Sequence, residues 1–158
     1  MELDEIMKAF ADEIGIEGVV ADGDGAYHFD IDGISVMFAT IGGGTRLGTF
    51  VEIGEPPTEG REIVYRALLE GMAPNDDNEG QAFSILQGTD RVVLYRSDPF
   101  VTTDYTVFKE RLENLVNAAE EWRRNISDFP ALYGKVQDAM KEAKEESREF
   151  SQSGFLQV

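Results

Sequence analysis

The sequence contains no cysteine. Disulfides, thiolate metal sites and cysteine nucleophiles are therefore excluded together. Histidine occurs once, at His28. A single histidine could still serve a serine triad, but the nucleophile elbow G-x-S-x-G is missing. Gly33-Ile34-Ser35-Val36-Met37 begins like one, then ends in methionine inside a predicted strand. Basic residues are scarce as well: 14 Lys and Arg stand against 31 Asp and Glu, for a formal charge of −17. Residues 1–40 hold ten acids and one base, Lys8. Such a surface repels phosphate backbones, so nucleic acid is not expected as a direct partner. The acidity has two readings, plain solubility or a soluble holder for an unfolded or basic partner. Composition does not separate them. No apolar run reaches the length of a membrane span, so no membrane insertion is expected. The opening MELDEIMKAF is acidic and lacks the positive n-region of a signal peptide, which predicts a cytoplasmic protein.

What is present is glycine, concentrated in TIGGGTRLGTFVEIG, residues 40–54. Glycine loops of this kind cradle phosphates, so nucleotide binding has to be tested first. A P-loop needs lysine where Thr49 stands, and Leu47 occupies the last glycine position of a dinucleotide fingerprint that starts at Gly42. A phosphate-binding loop also opens a helix. Here Leu47, Val51 and Ile53 share one phase with Thr49 between them, while Glu52 falls in the other, which predicts a strand. Gly42-Gly43-Gly44 therefore reads as a hairpin turn, and no cofactor is expected.

The 158 residues suffice for one domain with its own core. Leu3, Ile6, Met7, Phe10 and Ile14 predict a first helix stopped at Gly15. Tyr27, Phe29 and Ile31, the turn signal Asp32-Gly33, then Ile34, Val36 and Phe38 predict a hairpin. With the strand after the glycine turn this makes a three-stranded antiparallel meander. A helix over 59–72 follows, apolar on more than one side: Ile63, Val64, Tyr65, Ala67, Leu68, Leu69 and Met72. A surface helix of a monomer needs only one stripe. The excess predicts a twofold homodimer with Tyr65, Leu68, Leu69 and Met72 in the interface. AFSIL, the turn QGTD and RVVLYR predict a second hairpin ended by DPF. Thr103 is the candidate cap of a long helix over 104–127 with the stripe Phe108, Leu112, Leu115, Val116, Ala119 and Trp122. Beyond Pro130 a charged, weakly amphipathic helix reads as an appendage, dividing the chain into a domain over 1–129 and an extension over 130–158. The order α-β-β-β-α-β-β-α plus an extra C-terminal helix predicts an α+β sandwich built on one antiparallel sheet.

Three acidic stretches invite a calcium reading: ADGDGAY, HFDIDGI and NDDNEG. The first two fail the EF-hand spacing, the second with His28 and Ala39 at ligand positions, and the third has Leu86 where the bidentate acid belongs. No metal site and no catalytic residue is assigned, and the chain is not expected to be an enzyme.

The succession FADEIGI, FDIDGISVMF, ALLEGMAPNDDNEGQAFSILQGTDRVVLYRSDPF and FKERLENLVNAAEEW resembles the class I type III secretion chaperones, the Tir-chaperone-like family. The match spans Met7 to about Arg124. Its more specific parts are Ala67 to Gly71, Gly80 to Pro99 and Phe108 to Trp122. Met72 departs from the usual asparagine, the glycine turn is unusually rich, and the extension past Pro130 lies outside the common pattern. The resemblance implies a homodimer that holds a non-globular N-terminal segment of a secreted effector without ATP, with the secretion apparatus as a further partner. Two rivals share the fold: a regulatory module that sequesters a transcription-control protein, and a YbjN-like protein with no secretion role. A client groove needs apolar side chains at the surface. The candidates are Phe10, Ile14, Ile16, Val36, Phe38, Leu47 and Phe50, with Phe50 singled out because it falls out of phase with Leu47, Val51 and Ile53.

Overall fold

The first helix, α1, spans Leu3–Ile14 in a computed structural model that describes residues 1–72, 80–126 and 128–155. Its start is fixed by a capping box in which Glu2 and Glu5 satisfy each other's backbone N–H groups. Gly15, in the left-handed conformation, ends it as the sequence predicts. Strands β1 (Tyr27–Ile31), β2 (Ile34–Ile41) and β3 (Arg46–Gly54) form the expected antiparallel meander. Asp32 and Gly33 both have positive φ, 52° and 80°, the geometry of a type I′ hairpin. Gly42, Gly43 and Gly44 take φ of 61°, 67° and 92°, values at which any side chain would be strained. The Thr45 hydroxyl closes that turn on the Gly42 carbonyl at 2.8 Å. The glycines therefore make a hairpin turn between two strands and open no helix. Titration with ATP or NAD is expected to leave the melting temperature unchanged, since a ligand that binds the native state must raise it.

Helix α2 (Arg61–Gly71) lies inside the predicted span. Strands β4 (Gln81–Ile85) and β5 (Val92–Pro99) form the second hairpin. The sheet order is β1-β2-β3-β5-β4, antiparallel throughout, so β1 and β4 are its edges. Helices α3 (Tyr105–Asn125) and α4 (Phe129–Phe155) complete an α+β fold. Residues 73–79, which carry most of the candidate NDDNEG, lie outside the described residues.

One face of the sheet is closed by α1 and α3 around Leu3, Ile6, Met7, Phe29, Val51, Leu94, Leu112 and Leu115. At its centre four phenyl rings meet edge to face or tilted. Phe38 lies 5.9, 5.6 and 5.5 Å from Phe10, Phe29 and Phe108. A second anchor is polar. Arg96 and Arg111 both donate to the Asp98 carboxylate, at 2.7, 3.0 and 2.8 Å, beneath α3.

Two expectations fail at this corner. The strand does not stop before DPF, because β5 runs on through Asp98 and Pro99, with proline at the terminal position where a strand tolerates it. The cap of α3 is Asp104, whose carboxylate accepts the Val107 N–H at 2.9 Å. Thr103 is instead buried, with its hydroxyl donated to the Pro99 carbonyl. Helix α4 packs against α2, so its near end is docked, whereas every residue from Asp138 to Gln152 is exposed. A chain ended at Gln137 should melt cooperatively with a stability within about 0.5 kcal/mol of the full chain, the range of surface changes. Loss of a cooperative transition would place the distal helix in the core.

Candidate functional site: the open sheet face and its two edges

Alternation places His28, Met37, Phe50, Tyr95 and Ala82 on the sheet face that α1 and α3 do not cover. Strand register aligns them as one row, since His28 pairs with Met37, Met37 with Phe50, Phe50 with Tyr95, and Tyr95 with Ala82. Met37, Phe50, Tyr95 and Ala82 are half-buried, and the Phe50 and Tyr95 rings stack at 5.6 Å and 20°. Gly48 explains the posture of Phe50. A Cβ there would lie 2.7 Å from Phe50 Cε2 and 3.2 Å from Ile41 Cδ1, so the ring lies down over the glycine along its own strand. A glycine inside a strand signals close approach of this kind.

The phase of Phe50 is therefore as expected, but four of its companions are not surface. Phe10, Val36, Phe38 and Leu47 are 7%, 0%, 0% and 1% exposed. They belong to the phase of β2, β3 and α1 that the helices cover, and their apolar character is spent on the core. Ile14 and Ile16 remain at the surface, 42% and 40% exposed, beside the C-terminus of α1 and away from the Phe50 row. The expected client face thus divides into a core set, a sheet-face residue and a helix-end pair.

The α2 candidates also divide. Leu68 is buried in the main core, which corrects its assignment to an interface. Tyr65 and Met72 are half-buried, and Leu69 is 70% exposed. Tyr65, Leu68 and Leu69 form one wall of an apolar groove of about 210 Å³, with Phe83, Ile85 and Val92 opposite, along the free edge of β4. The Tyr65 hydroxyl donates to the Asp90 carbonyl at 3.1 Å, and burial pushes its pKa above the usual phenol range. Phe83 is held from behind by Trp122, edge to face at 5.0 Å.

At the other edge, β1 is entered through a tight acidic turn. Asp22 accepts the N–H groups of Asp24 and Ala26, both at 2.9 Å, and lies 2.8 Å from His28 Nε2. Those bonds, that of Ala26 first, hold the Asp22 carboxyl below its ordinary range. Both of its oxygens are therefore engaged within the turn that ADGDGAY had offered to calcium. Among the described residues no group of three or more His, Cys, Asp or Glu is placed to hold a metal ion. No described helix is long and apolar enough to cross a membrane.

The fold and this face can be set beside known proteins. The structure is similar to that of the ExsC-ExsE complex, at a TM-score of 0.66 and 20% identity over 80% of this chain and 98% of the other. It is also similar to the type III secretion chaperone SycH of Yersinia pestis, in complex with a fragment of YscM2, at a TM-score of 0.57 and 19% identity over 75% and 97%. A third likeness is to the heterodimeric ExoU-SpcU complex from the type III secretion system of Pseudomonas aeruginosa, at 0.58 and 13% over 75% and 95%. No curated protein matches by sequence. At these identities the likeness establishes the shared fold. The family model of the Tir chaperone protein (CesT) family matches residues 5–123, from the first turn of α1 to the last turn of α3. The chain belongs to that family.

Proposed function

We propose that the protein is a cytoplasmic, ATP-independent chaperone that holds a non-globular N-terminal segment of a type III secreted effector in an export-competent state. Family membership supports the class of activity, and one of the similar solved structures is a type III secretion chaperone in complex with a fragment of a partner protein. The observation that carries the reading in this chain is the uncovered row Met37–Phe50–Tyr95–Ala82. It is an apolar face on a sheet whose other side already has its core. Surfaces of this kind mark interaction sites. An extended client would lie over this row and add a strand at the free edge of β1, with backbone bonds giving affinity and the row receiving alternate side chains. Non-catalytic holding needs no nucleophile and no cofactor, which agrees with the chemistry the sequence lacks.

The second edge serves a different purpose in this account. Tyr65, Leu69 and Met72 on α2, with the groove along β4, form the face of a twofold homodimer. Residues 130–158 are an extension to the chaperone domain, and the secretion apparatus is the expected destination of the complex. Phe50→Asp tests the client face. The substitution puts a charge where an apolar segment must dock and leaves the opposite face of the sheet untouched. Client capture should fall by at least about tenfold, with melting barely changed. Unfolding of Phe50→Asp would show instead that Phe50 is core. The captured protein also separates the rival reading, since a transcription-control protein in place of an effector would make the same face a regulatory one.

A further inference from the structure

The helix-end pair lies beside a second groove, distinct from the sheet row. Gly15 turns the chain in the left-handed conformation, and the Ile16 N–H donates to the Ala11 carbonyl at 2.9 Å. Ile16–Val19 consequently runs back beside α1. One wall is the α1 stripe Asp4, Lys8, Ala11 and Asp12, neighbours on a single helical face. The other is Ile16–Val19, and Tyr27, the first residue of edge strand β1, lines the groove with its hydroxyl donated to Asp4 Oδ1 at 3.0 Å. The open groove has a volume of about 470 Å³, within the range of ligand-binding clefts.

Its lining mixes the apolar Ala11, Ile16 and Val19 with three acids, Asp4, Asp12 and Glu17, and one base, Lys8. Among the described residues neither Asp12 nor Glu17 has a cationic partner within ion-pair distance. The other acids nearby are engaged within the chain: Glu13 with Lys109 and the Tyr105 hydroxyl, and Asp22 with His28. The groove therefore presents an apolar interior with unneutralised negative charge at its rim, in the part of the chain where acids outnumber bases most heavily. Because it ends at Tyr27, a segment that pairs with the free edge of β1 is delivered into it.

We infer that this groove selects the chemistry of the client, taking an apolar side chain from an extended segment that carries Lys or Arg on either side of it. The inference rests on the chaperone reading and adds a sequence requirement to it. An acidic or uncharged segment of equal hydrophobicity fills the interior but leaves Asp12 and Glu17 unpaired. Rim charges set association rate and salt dependence more than they set packing.

The test uses the full chain and two short synthetic peptides with the same apolar residues, one interspersed with Lys and one with Glu, followed by fluorescence anisotropy. The Lys peptide should bind at least about tenfold more tightly, and the advantage should shrink as salt rises. Asp12→Lys with Glu17→Lys should remove the preference. Glu142→Lys with Glu146→Lys on the exposed part of α4 changes the net charge equally and should alter binding by less than about twofold. The conservative pair Asp12→Asn with Glu17→Gln keeps the groove shape and should weaken the Lys peptide to an intermediate degree. Equal losses from the groove and α4 pairs would reduce the effect to attraction by net charge and overturn the inference, as would equal binding of the two peptides. Capture of a natural effector that survives the groove substitutions and is lost in Phe50→Asp would overturn it while leaving the chaperone reading intact.

Discussion

Phe38→Ala should lower the stability of the protein by about 3–5 kcal/mol, the range for removing a buried phenyl ring. Phe38 has no exposed surface and is in ring contact with Phe10, Phe29 and Phe108. Removing it takes the shared partner from three rings at once, and those rings are carried by α1, β1 and α3, so the cavity cannot close by moving one side chain. Urea denaturation should show a lower midpoint at an unchanged slope, the sign of lost stability without a change in the surface exposed on unfolding. A surface role for Phe38, which the sequence by itself suggests, makes the opposite forecast of weakened client binding with unchanged melting. An unchanged midpoint would therefore restore Phe38 to the client face and remove the central cluster from this account.

Leu69→Glu should convert the protein from dimer to monomer. Leu69 is 70% exposed in the single chain, so the fold owes it little, and its neighbours Tyr65, Phe83 and Ile85 continue the same apolar surface. Across a twofold axis each residue acts twice, because both copies present the same patch. A carboxylate buried there without a partner costs several kcal/mol. Each 1.4 kcal/mol is about tenfold in the dissociation constant, so at ordinary laboratory concentrations the change should be complete. Light scattering should give twice the chain mass for the unmodified protein and the chain mass for the variant. A monomer in both cases would leave the α2–β4 groove to some other occupant.

Much of the fold was legible because it is local. Gly15 as a helix stop, Asp32-Gly33 as a hairpin and the three glycines as a turn each rest on backbone geometry that only a few residues adopt. The all-round apolar character of α2 was legible too. Its resolution was not, since Val64 and Leu68 face the core while α4 of the same chain takes up part of the remaining surface. The insertion of β5 between β3 and β4 is a non-local pairing that no window of sequence contains. The client face was half legible for a related reason. Alternation separates Phe50 from Leu47 and Val51, but it does not say which face the helices cover, and so it leaves Val36, Phe38 and Leu47 as surface candidates that the fold buries. Arg96, Asp98 and Arg111 escaped notice because isolated charges read as solvent-facing. Their mutual pairing, which makes burial tolerable, appears only when β5 and α3 are brought together.

The most direct measurement is isolation of the tagged protein from its native organism, with mass spectrometry of the bound material, alongside Phe50→Asp. The account predicts that the unmodified protein retains a type III secreted protein through an N-terminal segment, and that the equally stable variant retains none. It is contradicted if no secreted protein is bound, or if Phe50→Asp holds the same partner in the same amount.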